Sequence, residues 1–394
     1  MKKVSSEVTN IPKWLMFLIA ASCGLIVANL YYAQPLVGPI SESTGVSAGA
    51  SGLIVTMTQI GYVLGLLFLV PLSDLLENRR LIAATMVVAV LGLLAASFAK
   101  NPSVFFTAAI LIGIGSVAAQ ILIPLTAHLA PESQRGSVVG SVMSGLLLGI
   151  MLARPAASFV TSIFGWHMVF LISAAIMCLL IPVLTKFLPK REPEPKENYS
   201  EILKSLGFLF VHKPVLRRRA LYQACLFGSF SLFWTVAPLW LAEHFHLSQR
   251  GIALFALAGV AGAIASPIAG RLADKGWTKR LTGIAFVTAS FAFAFTHAFS
   301  GNRSVSLVIF CICAILIDMS VSGNLVLGQQ SIYALGDEIR GRVNGVFMAV
   351  FFAGGAVGSA AGGWSYAQGS WMLASVIGMI LPVIAFLYYL TEKK

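Results

Sequence analysis

The chain has 394 residues, of which 58% are hydrophobic and only 11% charged, and its mean hydropathy is +0.86. A typical soluble domain carries charge on about a quarter of its residues, so this composition excludes an ordinary water-soluble globule. The formal net charge of +12 would suit a nucleic-acid partner, but no RNA- or DNA-binding motif accompanies it.

Apolar runs that are long enough to cross a bilayer as a helix recur along the whole chain. Twelve are predicted, in an all-α integral membrane protein, at approximately 14–38, 51–71, 81–99, 103–126, 137–160, 166–188, 219–241, 251–270, 281–299, 304–328, 342–363 and 371–390. The first run lacks a small-residue cleavage site, so we expect it to remain as the first transmembrane helix.

Basic residues are distributed unevenly between alternate loops. With the N-terminus in the cytoplasm, 23 of the 27 Lys and Arg residues fall in cytoplasmic segments. Cytoplasmic loops are the ones that carry an excess of Lys and Arg. We therefore predict that both termini are cytoplasmic, and we interpret the basic residues as an orientation signal.

A long charged segment, LPKREPEPKENYSEILKSLGFLFVHKPVLRRR, separates the sixth run from the seventh. It predicts a six-helix bundle over 1–188, a cytoplasmic loop over 189–218 and a second six-helix bundle over 219–394. Residues 199–211 predict either an amphipathic helix at the membrane surface or a flexible linker. The helix would place Ile202, Leu203, Leu206 and Phe210 on one side.

Internal repetition supports two related halves. RGSVVGSVM at 135–143 matches RGRVNGVFM at 340–348, and PLSD at 71–74 is echoed by RLAD at 271–274. Two six-helix halves in parallel repeat are typical of one transporter architecture, in which the binding site lies near the midplane between the halves.

Two ionisable residues lie far inside apolar runs. Asp318 is near the middle of the tenth run and Arg154 is in the outer half of the fifth. Such groups cost roughly 2.5–3.5 kcal/mol on insertion scales and are functional candidates by default. Desolvation favours a protonated carboxyl, so Asp318 is predicted to be a proton or cation site; the alternative is a purely structural acid.

Arg154 stays protonated, so it can only pair with an acid, bind an anion or move. We predict that it is the charge partner of a protonatable acid or that it binds a substrate anion. The alternative is that its long side chain reaches the outer membrane interface. An ion pair between Arg154 and Asp318 is left open, because the two residues belong to different halves.

Four segments carry a resemblance to a known family: NLYYAQPL (29–36), RGSVVGSVMSGLLLGIMLARP (135–155), GRLADKG (270–276) and DEIRGRVNGVFMAVFFAGGAVGS (337–359). Over essentially its whole length the chain resembles the major facilitator superfamily, and within it the bacterial drug and sugar efflux proteins. The resemblance implies twelve transmembrane helices in two pseudo-symmetric six-helix bundles. Ala109 departs from the family, because many of its antiporters have an arginine there.

The resemblance also implies that the first, fourth, seventh and tenth helices line a central cavity. The residues predicted to bind substrate there are Asn29, Tyr32, Gln34, Ser116, Gln120, Gln223, Phe227, Phe230, Trp234 and Ser322. Uncharged hydrogen-bonding groups between aromatic walls suit an amphiphilic organic molecule. Helix packing or lipid contact is the alternative for each aromatic residue.

Charged residues near the cytoplasmic helix ends predict a gate built from ion pairs, with plain orientation signals as the alternative. The gating residues are Asp74, Arg79, Arg80, Arg135, Asp274 and Arg340. Gly354, Gly358 and Gly362 recur at four-residue steps and predict close helix packing.

Together these patterns predict a secondary active transporter of the bacterial inner membrane. It would export a small organic molecule, such as a drug, sugar or metabolite, in exchange for protons by alternating access, as a monomer in the lipid bilayer. No cofactor, metal, nucleic acid or enzymatic activity is expected, since no nucleotide-binding loop or catalytic constellation is visible. The alternatives are an uptake symporter or uniporter of the same fold and, less favoured, a membrane-embedded sensor or enzyme.

Overall fold

A computed structural model describes residues 12–131, 134–193, 197–262, 264–298, 302–336 and 338–392, with backbone only at 135 and 136. These residues form sixteen α-helices: α1 Lys13–Ala28, α2 Val37–Thr44, α3 Leu53–Leu64, α4 Asn78–Ser97, α5 Pro102–Gly115, α6 Ala118–Leu129, α7 Arg135–Phe164, α8 Trp166–Phe187, α9 Tyr199–His212, α10 Pro214–Phe245, α11 Gln249–Ala256, α12 Ala258–Gly262, α13 Ala265–Asp274, α14 Thr278–Phe295, α15 Arg303–Tyr333 and α16 Arg340–Leu390.

Each predicted apolar run overlaps helical residues. Among the described residues, nine helical stretches are long and apolar enough to cross a membrane, and α1 is a shorter apolar helix. The last stretch, α16, contains two predicted runs joined at a kink, where Gly369 and Ser370 leave the helical backbone conformation. The number of twelve crossings stays a prediction.

Some predicted runs are single in the sequence but broken in the structure. The first run ends as α1 at Ala28 and continues through a turn and the short helix Gln34–Leu36 into α2. Pro35 lies at the start of that short helix, and its missing N–H prevents a continuous hydrogen-bond ladder. The fourth run is likewise divided at Ser116 and Val117, between α5 and α6.

The segment between the predicted halves contains a helix. Asn198 caps α9 by accepting from the Glu201 amide at 3.0 Å, and Glu201 accepts from the Asn198 amide at 2.9 Å. This reciprocal pair satisfies two helix-end donors. Ile202 and Leu206 are buried, and α9 packs against α10 and α16. A helix over residues 199–211 is therefore confirmed, whereas its position at the membrane surface stays a prediction.

In each predicted half, glycines bring one pair of helices into close backbone contact, α1 with α7 in the first half and α10 with α16 in the second. In the first, Gly24 of α1 lies against the backbone of Gly145 and Gly149 in α7. In the second, Gly354 and Gly358 of α16 lie against the backbone of α10 at Ala224 and Gly228, and Gly362 packs on Leu232. A Cβ at Gly358 would collide with the Gly228 carbonyl oxygen. The internal repeat is therefore visible as repeated backbone contact between helices.

The predicted halves meet along α3 and α16. The Thr56 and Ser359 hydroxyls are 2.8 Å apart, and Gln59 Nε2 donates to Ser231 Oγ at 2.9 Å. Close to these bonds, Gly52 lies directly against the backbone of Gly363. These contacts lie on the side of the bundle away from the chain termini, and they close that side of the interface.

Candidate functional site

The two membrane-embedded charges predicted from the sequence contact each other. Arg154 Nη2 of α7 is 3.5 Å from Asp318 Oδ1 of α15. Only 2% of Arg154 and 4% of Asp318 is exposed. The ion pair therefore joins the two predicted halves in surroundings where its charges are poorly screened. This contact answers the question that the sequence left open.

Trp234 of α10 holds both members of the pair. Its indole Nε1 donates to Asp318 Oδ2 at 3.2 Å. Its ring also lies under the guanidinium of Arg154, whose Cζ is 3.8 Å from the ring centroid, and Phe230 lies under the same group at 5.0 Å. A desolvated guanidinium over an indole is stabilised by about 2 kcal/mol. Three helices thus fix the geometry of one pair of charges.

Helix α12 leaves space for the carboxylate. A Cβ at Gly262 would collide with the Cβ of Asp318, and one at Gly259 would come within 2.9 Å of Asp318 Oδ2. The side of Asp318 that faces α12 is therefore lined by backbone alone, and α15 approaches α12 closely at Asp318. No pattern in the sequence singled out these two glycines.

Unsatisfied polar atoms occur on Arg154 itself, on α7 and α10, and on the short helix Gln34–Leu36. Arg154 Nε and Nη1, both amide atoms of Gln34, Ser158 Oγ and Thr235 Oγ1 are buried without a hydrogen-bond partner among the described residues. The short helix that contains Gln34 packs against α7 and α10. Tyr31, three residues earlier, interacts electrostatically with both Arg154 and Asp318. Buried polar groups of this kind require water or a ligand as partners.

Several predicted substrate-binding residues are already hydrogen-bonded within the protein. Asn29 Oδ1 accepts from Ser173 Oγ at 2.5 Å, and Ser116 Oγ donates to the Ile112 carbonyl at 2.7 Å. Gln223 donates to the Val321 carbonyl and accepts from Asn324 Nδ2 at 2.7 Å. These bonds favour a structural role in this conformation.

The remaining predicted residues fall into two groups. Phe227 stacks on Phe351 at 3.9 Å and on Phe230 at 5.2 Å. Phe227, Phe230 and Trp234 therefore form a row of aromatic side chains along α10, which we call the aromatic wall. Tyr32, Gln120 and Ser322 are half-buried. The structure therefore places Phe230 and Trp234 at the charge pair, Phe227 next to Phe230, and Gln34 on a short helix that packs against α7 and α10. The other predicted residues lie in separate contacts.

Charged residues at the face that carries the termini make several separate contacts. Arg79 and Arg80 both contact Glu77, at 3.4 and 3.1 Å, and Asp274 accepts from Gln330 Nε2 at 2.6 Å. Arg340 lies over the Tyr333 ring. The Arg135 side chain is outside the described part of the chain. Pairing of Asp74 or Asp274 with the named arginines stays a prediction.

Among the ion pairs of this face that the sequence analysis missed, one joins α16 to the segment around α9. Arg342 Nη2 is 2.7 Å from Glu197 Oε2, and Arg342 Nη1 donates to Ser205 Oγ at 3.3 Å. The pair ties the start of α16 to the segment around α9. Arg342 stands two residues after the predicted Arg340, and only the folded position of α9 distinguishes them.

Comparison with known proteins decides the family. The family model for the Major Facilitator Superfamily matches residues 16–337. The chain belongs to this superfamily. Among solved structures, that of a mutant of the nucleoside transporter NupG is similar with a TM-score of 0.76 and 15% identity, over 96% of this chain and 100% of that one. The fold predicted from the sequence is thereby confirmed as that of the Major Facilitator Superfamily.

Relatives of this chain are named as transporters. The chain is 37% identical to the uncharacterized transporter YgaY of Escherichia coli O157:H7 over 376 residues, 95% of this chain and 94% of the relative. It is also 24% identical over 292 residues to the purine ribonucleoside efflux pump NepI of Escherichia coli O6:K15:H31 (strain 536 / UPEC), covering 72% of each chain. The protein is therefore a multi-pass membrane transporter for a small molecule.

Proposed function

We propose that this transporter exports a small organic molecule in exchange for protons, with Asp318 as the proton-binding group and Arg154 as its charge partner. One observation carries the proposal: the buried ion pair between α7 and α15. A pair that bridges two moving halves is well placed to couple a binding event to their rearrangement.

The chemistry follows from the charge of the site in its two protonation states. With Asp318 ionised, the pair is neutral and holds α7 against α15. When a proton binds the carboxylate, the attraction is lost and Arg154 becomes an uncompensated buried cation, which favours a conformation in which it gains water or another partner. Protonation therefore biases the equilibrium between two conformations, as an exchanger requires.

Substrate would bind beside the pair. The unsatisfied groups of Gln34, Ser158 and Thr235 would supply hydrogen bonds to the substrate, and the Phe227–Phe230–Trp234 wall would supply an apolar surface. Such a surface suits an uncharged, partly polar organic molecule. Asn29, Tyr32, Ser116, Gln120, Gln223 and Ser322 would join the site in a conformation that opens the cavity.

Alternating access would involve the two halves predicted at 1–188 and 219–394, with 189–218 between them. The close glycine contacts of Gly354, Gly358 and Gly362 would keep α10 and α16 moving as one body. Asp74, Arg79, Arg80, Arg135, Asp274 and Arg340 would form the gate at the face with the termini, where exposed pairs of about 0–1 kcal/mol can bias a switch.

The direction of transport rests on similarity to a protein named as an efflux pump. An uptake symporter or uniporter is the second candidate, because the same ion pair would serve proton symport. The distribution of Lys and Arg supports a bacterial inner-membrane protein with both termini in the cytoplasm. We further propose that it works as a monomer and has no catalytic activity or cofactor, as is general for the family.

The proposal is tested by flux in proteoliposomes that contain only this protein, under an imposed pH gradient. The substrate panel starts with purine ribonucleosides, because a relative is named for them, and extends to sugars and drugs. Wild type is compared with Asp318→Asn and with Glu42→Gln, which removes an exposed acid outside the site. Liposomes without protein give the background.

We expect wild type and Glu42→Gln to dissipate the gradient with a substrate, whereas Asp318→Asn exchanges the same substrate without moving protons. Proton-coupled flux of wild-type size in Asp318→Asn would contradict the assignment. The direction of substrate flux relative to the proton gradient distinguishes exchange from symport. In exchange the substrate moves opposite to the protons, whereas in symport it moves with them, and reversing the gradient should reverse the substrate flux in both cases.

A further inference from the structure

A groove between α14 and the last part of α16 lies on the outer surface of the bundle. It encloses about 320 Å³ and is lined by apolar side chains, among them Val287, Phe291, Met379, Val383 and Phe386. Val287 and Phe291 are each more than half exposed. The Ser290 hydroxyl, which also lines the groove, donates to the Phe286 carbonyl at 2.9 Å. The groove therefore suits a hydrocarbon chain.

Basic side chains surround the end of α16 next to this groove. Lys279 Nζ donates to the Glu392 carbonyl at 2.7 Å, and Arg219 Nη2 is 3.4 Å from Glu392 Oε1. Arg218 donates to Thr391 Oγ1 at 3.2 Å. A second cavity of about 470 Å³ opens here and is lined by Arg218, Arg219, Ser331, Thr391 and Glu392. Three basic side chains thus contact Thr391 and Glu392, and one of them, Arg219, pairs with the Glu392 carboxylate.

The basic cluster and the apolar groove are parts of one surface. The Tyr389 ring lies 5.9 Å from Phe386 and 6.0 Å from Phe286, and Lys279 Nζ is 5.9 Å from the same ring. Along α14, residues 279, 283, 286, 287 and 290 recur at three- and four-residue steps and so share one face. The charged end lies where α14 and α16 reach the face with the termini.

We propose that this surface is a binding site for one anionic glycerophospholipid. An acyl chain occupies the groove between Val287 and Val383, and the phosphate lies against Lys279 and Arg218. The phosphate oxygens take the place of the Glu392 carbonyl oxygen at Lys279 and of the Thr391 oxygens at Arg218, which are the acceptors that these two cations hold in this conformation. Thr391 and Glu392, which follow α16, and the lipid phosphate therefore compete for the same donors.

Charge decides which class of lipid is favoured. Lys and Arg at a membrane surface attract anionic headgroups, whereas the ammonium group of a zwitterionic lipid would face three cations. A free inorganic anion would satisfy the cations without using the groove. The juxtaposition of both features therefore points to a lipid whose charged and apolar parts bind together.

The test is a titration of lipid binding to the full-length protein in detergent micelles, with native mass spectrometry as the readout. The probes are phosphatidylglycerol, phosphatidylcholine and sodium phosphate. Lys279→Gln and Arg218→Gln each remove one cation, Val287→Trp fills the groove, and Glu392→Gln removes the carboxylate that pairs with Arg219 and would repel an anionic headgroup. Lys186→Gln is the matched control: it removes a cation near the end of α8, where Lys186 lies over the Phe187 ring.

Phosphatidylglycerol is expected to bind wild type more tightly than phosphatidylcholine does. Each cation removed should weaken it about fivefold, Val287→Trp should weaken it too, Glu392→Gln should tighten it, and Lys186→Gln should leave it unchanged. Lys279→Arg should restore wild-type binding, which separates loss of charge from loss of folding.

Three results would overturn the proposal. One is equal binding of the two lipids by wild type. Another is phosphatidylglycerol binding that neither Lys279→Gln nor Val287→Trp alters. The third is complete displacement of the lipid by millimolar sodium phosphate together with an unaffected Val287→Trp variant, which would identify a phosphate site without a lipid. None of these results depends on the substrate or the direction of transport.

Discussion

Replacing Asp318 by Asn should destabilise the protein, because it leaves Arg154 as a buried charge without a counter-ion. Breaking one side of a buried pair costs about 3–5 kcal/mol. We expect the lower end of that range, about 3 kcal/mol. The amide oxygen that the substitution introduces can still accept one hydrogen bond, and Trp234 still lies 3.8 Å from the guanidinium.

The double variant Arg154→Gln plus Asp318→Asn removes both charges together. Its loss of unfolding free energy should therefore be smaller than the sum of the two single losses, with a coupling energy of about 2 kcal/mol. The measurement is denaturant unfolding in micelles for wild type, both single variants and the double variant. The exposed pair of Arg342 and Glu197, with side chains 26% and 41% exposed, provides a matched cycle in which we expect about 0–1 kcal/mol.

Losses that add to within about 0.5 kcal/mol for Arg154 and Asp318 would show that the two charges do not stabilise each other. A coupling energy no larger than that of Arg342 and Glu197 would refute the reasoning in the same way. In either case the pair could not supply the conformational bias that the proposed exchange mechanism needs.

Three further predictions concern the surroundings of the pair and the helix contacts. Trp234→Phe keeps a ring under Arg154 but loses the donor to Asp318, so it should cost about 1 kcal/mol of unfolding free energy, against about 3–5 kcal/mol for Trp234→Ala; no loss in Trp234→Phe would contradict the hydrogen bond, and equal losses in both variants would contradict the contribution of the ring. Gly358→Ala drives a methyl group into the Gly228 carbonyl and should cost about 1–3 kcal/mol of unfolding free energy. Gly140→Ala, at a site with open space around the added methyl group, should cause no loss of stability. Equal effects of the two substitutions in unfolding titrations would count against close backbone contact at Gly358. Ser359→Val removes the hydroxyl contact with Thr56 and should lengthen the distance between spin labels at positions 47 and 370, as measured by double electron–electron resonance. An unchanged distance would mean that this bond does not hold the interface closed.

Periodicity and composition were sufficient for the fold class. Apolar runs of bilayer length can satisfy their backbone groups in lipid only as helices or as a closed barrel, so the all-α prediction followed from hydropathy. The repeat of RGSVVGSVM and RGRVNGVFM likewise predicted two related halves, and α7 and α16, which contain these segments, each make a close glycine contact with another helix. Gly358 was predicted to pack closely because small residues at four-residue steps lie on one helix face.

Breaks within helices were beyond this kind of reasoning. Hydropathy does not distinguish a continuous helix from one interrupted near Pro35 or Ser116, because the apolar run continues on both sides of each interruption. The kink at Gly369 and Ser370 has a turn signal in its glycine, but the structure joins the flanking helices without a loop.

By itself, the sequence determined that Asp318 and Arg154 are the exceptional groups, since a charge inside an apolar run is costly wherever the run packs. Only the tertiary structure decided that they are partners. The two residues lie in different repeats, and no local pattern encodes the 3.5 Å between Arg154 Nη2 and Asp318 Oδ1. The same holds for Gly259 and Gly262, whose missing side chains make room for the carboxylate, and for Glu392, whose place among Arg219 and Lys279 depends on where α16 ends. Which groups are costly to bury is a property of the residues, but which of them offset each other's cost depends on how the helices pack.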